Sequence, residues 1–436
     1  MCFLEKGFFI MPYSEPTDLA VIACPGGESF ANAVIKHLKN MYKHRFTLKN
    51  DAILKRYSID KDELIKKINF NNDISTSSLV VRGAVDKFRP PVFKVDTTFT
   101  YFANGEFKTE INESIRGKDV FIFQDVENHE ILSLNGGKNK ISLSVNDHVM
   151  CLLVTIDAIR QAGAGKITLV VPAYPYSRQH KKKGREGLTA SMLGHIYEML
   201  GVSRIITLDI HSREIVNAFS SINLENLHAS YQIIRELGGI VDLTGQKEEM
   251  VVVSPDTGAI DRNKFYASGL KLPLAMIYKE RDYSVVTQNA KDTNIKSVKL
   301  LGDVQGKIAF LADDMLGTGG TLLKAMSFLK ENGATKVIAA VSLPFFTGNA
   351  IELFDEGYKQ GLFYRIIGTN AVYHEELLNR EWYISTDVSG LFANIITRIH
   401  HNQSIGDLLD NRTLIERIIK RQQELRSTEQ GELFHD

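Results

Sequence analysis

Cysteine is scarce in this chain of 436 residues, which has only Cys2, Cys24 and Cys151. Three scattered thiols make neither a disulfide framework nor a metal motif, and they are typical of a reducing compartment. A charge of one sign is also lacking, since Lys plus Arg and Asp plus Glu each number 52. This balance gives no overall field that favours nucleic acid or an anionic membrane, so we expect neither as a partner.

Long apolar runs are lacking as well. The run near the N-terminus, residues 1–11, is too short for a signal peptide and has an acid in the wrong place, and no other segment could span a bilayer. The sequence therefore predicts a cytoplasmic protein. Its 44% apolar and 24% charged residues are an ordinary globular composition, and its length predicts roughly two or three domains.

Two stretches of the chain resemble each other. Segments 165–171 and 306–312 are apolar runs of strand length after a glycine, typical of strands buried on both faces. Each is followed by a loop, a helical pattern that stops at Gly201 or Gly333, and a second apolar run. Parallel strands need such a crossover, so two similar α/β domains are predicted, although βαβ units also resemble one another by pattern alone.

The loop after the second of these strands combines two acids with a turn rich in Gly and Thr. Unpaired N–H groups at the start of the next helix attract phosphate, and glycines let the backbone approach it. The carboxylates can accept hydrogen bonds from sugar hydroxyls or hold Mg²⁺. We expect a pentose 5-phosphate site here, against the alternative of a capped turn without a ligand. Its residues are Asp313, Asp314, Gly317, Thr318, Gly319, Gly320 and Thr321.

The acid pair and this turn resemble the signature of type I phosphoribosyltransferases. Other motifs narrow the resemblance to ribose-phosphate diphosphokinase (phosphoribosyl diphosphate synthetase), and they follow that family's order. They are Tyr101-Phe102-Ala103-Asn104-Gly105-Glu106, 112–117, Tyr176-Ser177-Arg178-Gln179, Leu208-Asp209-Ile210-His211, Val253-Ser254-Pro255-Asp256 and Tyr278-Lys279-Glu280-Arg281. The resemblance implies an enzyme that transfers the diphosphoryl group of ATP to the 1-hydroxyl of ribose 5-phosphate and leaves AMP.

The resemblance also implies a fold and a domain organisation. The fold class is α/β, with two tandem phosphoribosyltransferase-like domains, each a mostly parallel sheet flanked by helices. We expect an N-terminal extension over 1–17, a first domain over 18–225, a second domain over 226–410 and a helical tail over 411–436. The first helix is expected to end near Tyr42, because the segment at about 44–96 has only broken periodicity and looks like an insertion.

Catalytic and metal-associated residues follow from the same motifs. Lys279 and Arg281 match the family's mobile catalytic loop, whereas alone they would be typical of an exposed strand end. His211 and Asp256 match its Mg²⁺-associated pair. Since Mg²⁺ prefers oxygen, we expect inner-sphere contact from Asp256 before the imidazole. A lone histidine after a strand is also typical of a hydrogen-bonded structural residue.

Two further segments match the family's ATP contacts. Arg178 and Gln179 match contacts to the triphosphate, beside a basic stretch over 181–185 that alone would indicate a solvated face. Phe102, Asn104, Gly105 and Glu106 match the turn that recognises adenine. In the family this turn serves a neighbouring subunit's site, so the resemblance implies a homo-oligomer built from dimers, up to a hexamer.

The chain departs from the family's pattern at several positions. Asn104 and Gly317 stand where the family usually has Asp, and His180 replaces an acid. Asn104 leaves the nucleotide preference open, and Gly317 weakens contact to the diphosphate end of the sugar. Two other functions therefore stay open at this point. One is a non-catalytic regulatory paralogue that binds nucleotide, and the other is a phosphoribosyltransferase that consumes phosphoribosyl diphosphate.

Overall fold

Two largely parallel sheets organise the residues that the computed structural model describes, which are 19–58, 60, 92–137, 139–182, 184–243, 249–281 and 295–432. The strands are β1 (Leu19–Ala23), β2 (Thr97–Tyr101), β3 (Phe107–Ile111), β4 (Asp119–Phe123), β5 (Ile131–Leu134), β6 (Asn139–Ser142), β7 (Lys166–Val170), β8 (Arg204–Leu208), β9 (Asn223–Leu227), β10 (Met250–Ser254), β11 (Leu274–Arg281), β12 (Ile295–Leu301), β13 (Ile308–Leu316), β14 (Lys336–Pro344), β15 (Arg365–Thr369) and β16 (Tyr383–Thr386). The helices are α1 (Glu28–Tyr57), α2 (Val145–Gln161), α3 (Thr189–Met199), α4 (Ser230–Ile240), α5 (Ile260–Leu270), α6 (Gly320–Glu331), α7 (Ala350–Lys359), α8 (Ser389–His400), α9 (Gly406–Leu409) and α10 (Arg412–Glu432). Within these residues, no helix has the length and apolarity needed to cross a membrane.

The first sheet has the strand order β1-β4-β7-β8-β9, and every neighbouring pair is parallel. All residues of β1 and β4 are buried, which is why these strands are apolar along almost their whole length. Two antiparallel hairpins, β2–β3 and β5–β6, pair outside this sheet. The carboxyl ends of the sheet's strands carry the loops in which ligands bind in open α/β folds.

The second sheet has the order β12-β11-β10-β13-β14-β15-β16, and only β12 pairs antiparallel to its neighbour. The predicted duplication is confirmed, because β7–α3–β8 and β13–α6–β14 are both parallel crossover units. Gly201 and Gly333 follow their helices with φ of 84° and 87°, a left-handed conformation that glycine adopts without strain. The α/β fold with two similar units is thus as predicted.

Two local predictions were wrong. Helix α1 does not end near Tyr42 but continues to Tyr57, because the chain between them has no Pro or Gly to stop it. This part of α1 is polar and exposed, so its sequence lacks the apolar face from which a helix is predicted. Strand β13 likewise continues past Asp313 and Asp314 to Leu316, since it pairs with β14 along that whole length.

The C-terminal half completes the core of the N-terminal half. Helix α8 packs against α1, with the rings of Phe30 and Phe392 edge to face at 5.0 Å between centroids. His400 at the end of α8 bonds through Nδ1 to Asp119 Oδ2 of β4 at 3.0 Å, and both side chains are buried. The two sheets therefore share one apolar core that runs between them.

A second joint between the halves contains a buried acid. Asp125 follows β4, is 4% exposed, and accepts the backbone N–H of Glu127 at 3.0 Å and that of Tyr373 at 3.5 Å. Burial raises the pKa of Asp125 to about 7, although these two N–H groups work in the opposite direction. The carboxyl group is therefore protonated in the folded protein at a pH where it ionises in the unfolded chain.

Substitution Asp125→Asn is expected to remove a pH-dependent part of the stability. An acid with a raised pKa in the folded state stabilises fully below its unfolded pKa of 3.8, and this contribution is lost as pH rises through about 7. Between pH 4 and pH 7.5, the unaltered protein should lose on the order of 3 kcal/mol relative to the variant. Urea unfolding at both pH values measures this. The control is Asp261→Asn at an exposed position, and equal pH dependence in Asp125→Asn and Asp261→Asn would contradict the argument.

Candidate functional site

The glycine-rich turn after β13 presents free backbone N–H groups. The first N–H that bonds back within α6 is that of Leu323, which donates to the carbonyl of Gly319 at 3.0 Å. The N–H groups of residues 320–322 therefore have no partner within the helix and lie at its positive end. Gly319 has φ of 73°, and a Cβ built on it would lie 2.2 Å from Phe354 Cε2. Only glycine fits there, and it brings the backbone into position to hold an anion.

The two acids of β13 differ in their surroundings. Asp314 is buried, and its Oδ2 accepts a hydrogen bond from His211 Nδ1 at 2.7 Å. Burial works against ionisation of Asp314, but the bond from His211 and the nearby charge of Arg262 outweigh it and hold its pKa below the ordinary value. Burial and the neighbouring Asp314 carboxylate raise the pKa of Asp313. Within the pair, Asp314 therefore ionises more readily than Asp313.

A buried polar network lies behind this acid pair. Asp209 at the end of β8 accepts hydrogen bonds from His228 Nδ1 at 2.7 Å, the Ser342 hydroxyl at 2.5 Å and the N–H of Ala229 at 3.1 Å. Arg262 of α5 lies 3.3 Å from Asp209 Oδ1. Burial opposes ionisation of Asp209, but the charge of Arg262 and the bond from His228 hold its pKa well below the ordinary range.

Arg262 connects the two groups of acids. Burial alone would lower its pKa, yet the charges of Asp209, Asp314 and Asp313 together raise it. One cation therefore compensates the Asp209 carboxylate, which follows β8 of the first sheet, and the carboxylates of β13 in the second sheet. Sequence reasoning missed Arg262, His228 and Ser342, because no short motif surrounds them. Asp209 lies in the motif Leu208-Asp209-Ile210-His211, which predicts no role for it, and its position after an apolar strand was the available signal.

The chain between β7 and α3 carries Arg178 and the basic stretch 181–185, and we call it the basic loop. It reaches the glycine-rich turn that follows β13. Arg178 Nε lies 2.9 Å from Met315 Sδ, and its Nη2 lies 3.4 Å from the point where Gly317 would carry a Cβ. The structure thus brings together two residues that were predicted for separate ligands. Gly317 leaves space for the Arg178 guanidinium, and an aspartate side chain at position 317 would enter that space.

Other residues of the basic loop form bonds to the first turn of α3 and to the chain after β8. The hydroxyl of Thr189 donates to Gln179 Oε1 at 2.6 Å, and Lys181 pairs with Glu214 at 3.1 Å. The ring of His180 lies 5.5 Å from that of His211. Lys183 lies outside the described residues. The loop is therefore tied to the same edge of the sheet as His211.

The turn between β2 and β3 contains the predicted adenine contacts. It closes through the N–H of Phe102 to the carbonyl of Glu106 at 2.9 Å, and Gly105 has φ of 91°. Asn104 Oδ1 accepts the N–H of Glu106 at 3.2 Å, and the Phe102 ring is exposed. Among the described contacts, none joins this turn to the acid pair. An exposed ring on a fixed turn is suited to stack on a flat ligand.

The predicted metal pair is not brought into one described cluster. Asp256 Oδ1 accepts the N–H groups of Gly258 and Ala259 at 2.9 and 3.0 Å, which places it at the start of α5. In the described part of the chain, no three His, Cys, Asp or Glu side chains are grouped to hold a metal ion. Lys279 and Arg281 lie on the backbone of β11, and their side chains fall outside the described part. The roles of these four residues stay predictions.

Comparison with known proteins relates this arrangement to one enzyme family. The family model described as the N-terminal domain of ribose phosphate pyrophosphokinase matches residues 89–201. The phosphoribosyl transferase domain model matches residues 220–376. The first match includes β4 and β7 of the first sheet. The second match includes β9 of the first sheet and β10–β15 of the second sheet, and the acid pair and its turn lie in it.

Individual relatives agree with these matches. Ribose-phosphate pyrophosphokinase 2 of Schizosaccharomyces pombe is 36% identical over 309 residues, which are 70% of this chain and 87% of the relative. Ribose-phosphate pyrophosphokinase A of Dictyostelium discoideum is 36% identical over 312 residues, which are 71% and 88%. The crystal structure of phosphoribosylpyrophosphate synthetase from Mycobacterium smegmatis has a TM-score of 0.63 and 25% identity, covering 88% of this chain and 100% of that one.

Proposed function

The chain belongs to the ribose-phosphate pyrophosphokinase family, and we propose that it transfers the diphosphoryl group of ATP to the 1-hydroxyl of ribose 5-phosphate. The observation that carries this is the contact of Arg178 with Met315 and with the space beside Gly317. It sets a cationic loop from the first unit against the phosphate-binding turn of the second. Two phosphorylated substrates can thus meet there, whereas the phosphoribosyltransferase alternative leaves the domain with the basic loop unexplained.

The reaction is an in-line displacement at the β-phosphorus of ATP. The 1-hydroxyl oxygen of the sugar forms a new bond to this phosphorus, and the bond to the oxygen that bridges the α- and β-phosphates breaks. AMP leaves with that oxygen, and the hydroxyl proton passes to solvent. Such a transfer asks the protein mainly to position both substrates and to stabilise charge.

Each substrate has its own part of the site. The free N–H groups of residues 320–322 and the hydroxyls of Thr318 and Thr321 hold the 5-phosphate of the sugar. Asp313 and Asp314 accept hydrogen bonds from the ribose hydroxyls. Arg178 and Gln179 bind the triphosphate, and Phe102 stacks on adenine beside Asn104, Gly105 and Glu106. Lys279 and Arg281 then neutralise charge on the transferred group.

Magnesium fits the groups present near the acids. Mg²⁺ is commonly held by one or two carboxylates together with substrate phosphates, so a cluster of three protein ligands is not needed. Burial and the neighbouring Asp314 carboxylate raise the pKa of Asp313, and a divalent cation close to the acid pair would favour ionisation of Asp313. Asp256 and His211 would hold the ion with the ATP phosphates. When bound, it would neutralise phosphate charge.

A homo-oligomer in the cytoplasm completes the proposal. The turn over 102–106 carries its exposed ring without a described contact to the acid pair, which supports a role in a neighbouring subunit's site. Cys24 and Cys151 are both buried, free thiols, in keeping with a reducing compartment. Solution mass from light scattering measures the assembly. A monomer with full activity would contradict a site shared between subunits.

An assay of the purified chain tests the function. With ribose 5-phosphate, Mg²⁺ and ATP, AMP and phosphoribosyl diphosphate are expected in equal amounts, and omission of ribose 5-phosphate should abolish AMP release. Parallel reactions with CTP and GTP determine what Asn104 does to nucleotide preference. Release of no nucleoside monophosphate from any of the three would overturn the proposal. ATP binding without turnover would then favour the regulatory paralogue, which the departures from the family's pattern at Asn104, Gly317 and His180 support.

A further inference from the structure

The tip of the β5–β6 hairpin carries an asparagine in a left-handed conformation. Asn135 has φ of 54°, which asparagine tolerates better than most residues. Its side-chain amide bonds to both backbone groups of one residue on the other hairpin. Asn135 Oδ1 accepts the N–H of Tyr101 at 2.9 Å, and Asn135 Nδ2 donates to the carbonyl of Tyr101 at 2.8 Å.

These two bonds occupy the outer edge of β2. Tyr101 lies opposite Phe107 in the β2–β3 ladder, and the next pair closes the turn through the N–H of Phe102 and the carbonyl of Glu106. In an antiparallel ladder, alternate residues direct both backbone groups away from the partner strand. Tyr101 is such a residue, so the amide of Asn135 supplies the donor and the acceptor that a further strand would provide.

Tyr101 in turn supports the 102–106 turn. Its ring packs edge to face on Phe107 at 5.0 Å between centroids, and its hydroxyl lies 3.7 Å from the point where Gly105 would carry a Cβ. The other strand of this hairpin is fixed separately, because the hydroxyl of Thr109 bonds to that of Thr155 on α2 at 2.9 Å. One strand is therefore held by the core and the other by Asn135.

We propose that Asn135 positions the nucleotide indirectly. It holds Tyr101, and Tyr101 in turn supports the 102–106 turn that contacts the nucleotide. The inference rests on the proposed function, since it takes this turn as the adenine contact. Without Asn135, the end of β2 keeps its ladder to β3 but loses its outer partner. The Phe102 ring and the polar groups of the turn then sample more orientations, and ATP must restrict them when it binds.

The test is a comparison of Michaelis constants in the full-length protein. Asn135→Gly keeps a left-handed backbone without strain and removes both hydrogen bonds. The KM for ATP is expected to rise about tenfold, the order of effect of one or two neutral hydrogen bonds, with the KM for ribose 5-phosphate unchanged. Asn135→Asp keeps the acceptor but sets an oxygen against the Tyr101 carbonyl. It should also raise the KM for ATP and leave the KM for ribose 5-phosphate unchanged. Ser133→Ala, on the exposed side of the same hairpin, should change neither constant.

The outcomes separate this inference from the proposed function. If the unaltered chain releases AMP but Asn135→Gly leaves the KM for ATP unchanged, or raises both constants equally, Asn135 has no positioning role. If the unaltered chain releases no AMP, the proposed function fails. The dissociation constant for ATP, measured calorimetrically, then decides the matter, since positioning requires about a tenfold weaker value in Asn135→Gly. Thermal unfolding of each variant confirms that a changed constant belongs to folded protein.

Discussion

Substitution Arg262→Met is expected to destabilise the protein by about 3–5 kcal/mol, since it leaves buried carboxylates without their cation. Asp209 is 5% exposed and lies 3.3 Å from Arg262, and the charges of Asp313 and Asp314 also bear on the guanidinium. Methionine has no charge and a side-chain volume close to that of arginine, so the change removes the positive charge with little change in volume. The free energy of unfolding, measured in urea at pH 7, gives the size of the effect. AMP release should fall as well, because the acid pair loses a nearby positive charge.

Two further variants show whether charge is the cause. Arg262→Lys keeps a positive charge with fewer donors, so it should lose less than Arg262→Met. The double variant with Asp209→Asn and Arg262→Met removes both partners, and it should recover part of the stability lost in the single variant. A double variant no more stable than Arg262→Met alone would show that Arg262 acts through packing instead. A loss below about 0.5 kcal/mol in Arg262→Met would contradict the network altogether.

Substitution Gly319→Ala is expected to cost about 2–5 kcal/mol and to weaken ribose 5-phosphate binding. A left-handed conformation is unfavourable for alanine by roughly 1–2 kcal/mol, and forcing a methyl group into a packed site adds about 1–3 kcal/mol. Both conditions hold, because φ is 73° and the new Cβ would lie 2.2 Å from Phe354 Cε2. Since the turn must move to relieve this contact, the free N–H groups of α6 move with it. Urea unfolding and the KM for ribose 5-phosphate measure the two effects.

The neighbouring glycine provides a matched control for the stability effect. A Cβ on Gly320 would meet no heavy atom within 4 Å, and Gly320 has no positive φ. Gly320→Ala should therefore leave the free energy of unfolding unchanged or raise it by up to about 1 kcal/mol. Similar destabilisation in both variants would show that the turn tolerates neither for a reason other than the Phe354 contact.

Features carried by short segments of sequence were predictable. Strand β13, helix α6 and Gly333 follow one another in a pattern that specifies a crossover unit, because hydrophobic periodicity and helix stop signals act locally. The same locality made the glycine-rich turn recognisable. The end of β13 was less predictable, since the partner strand β14 determines how far the pairing runs.

Features that depend on distant parts of the chain were not predictable. Arg262 is one polar residue in a helix, and nothing near it in sequence indicates that it lies between Asp209 and the acid pair. Asn135 is one turn residue, and its bonds to Tyr101 depend on how two hairpins pack. Such contacts join residues that a periodic pattern cannot relate to one another. They are specified by the packing of whole elements.

The packing of α8 on α1 has a consequence for synthesis of the chain. Phe30 and Asp119 belong to the first half, but their partners Phe392 and His400 leave the ribosome only after all strands of the second sheet have been made. The apolar face of α1 that α8 covers therefore stays exposed while the second sheet is translated. Domains of a growing chain usually fold in order as they emerge. Here helix α8, which follows the strands of the second sheet, covers the first half, so native structure in both halves is reached together.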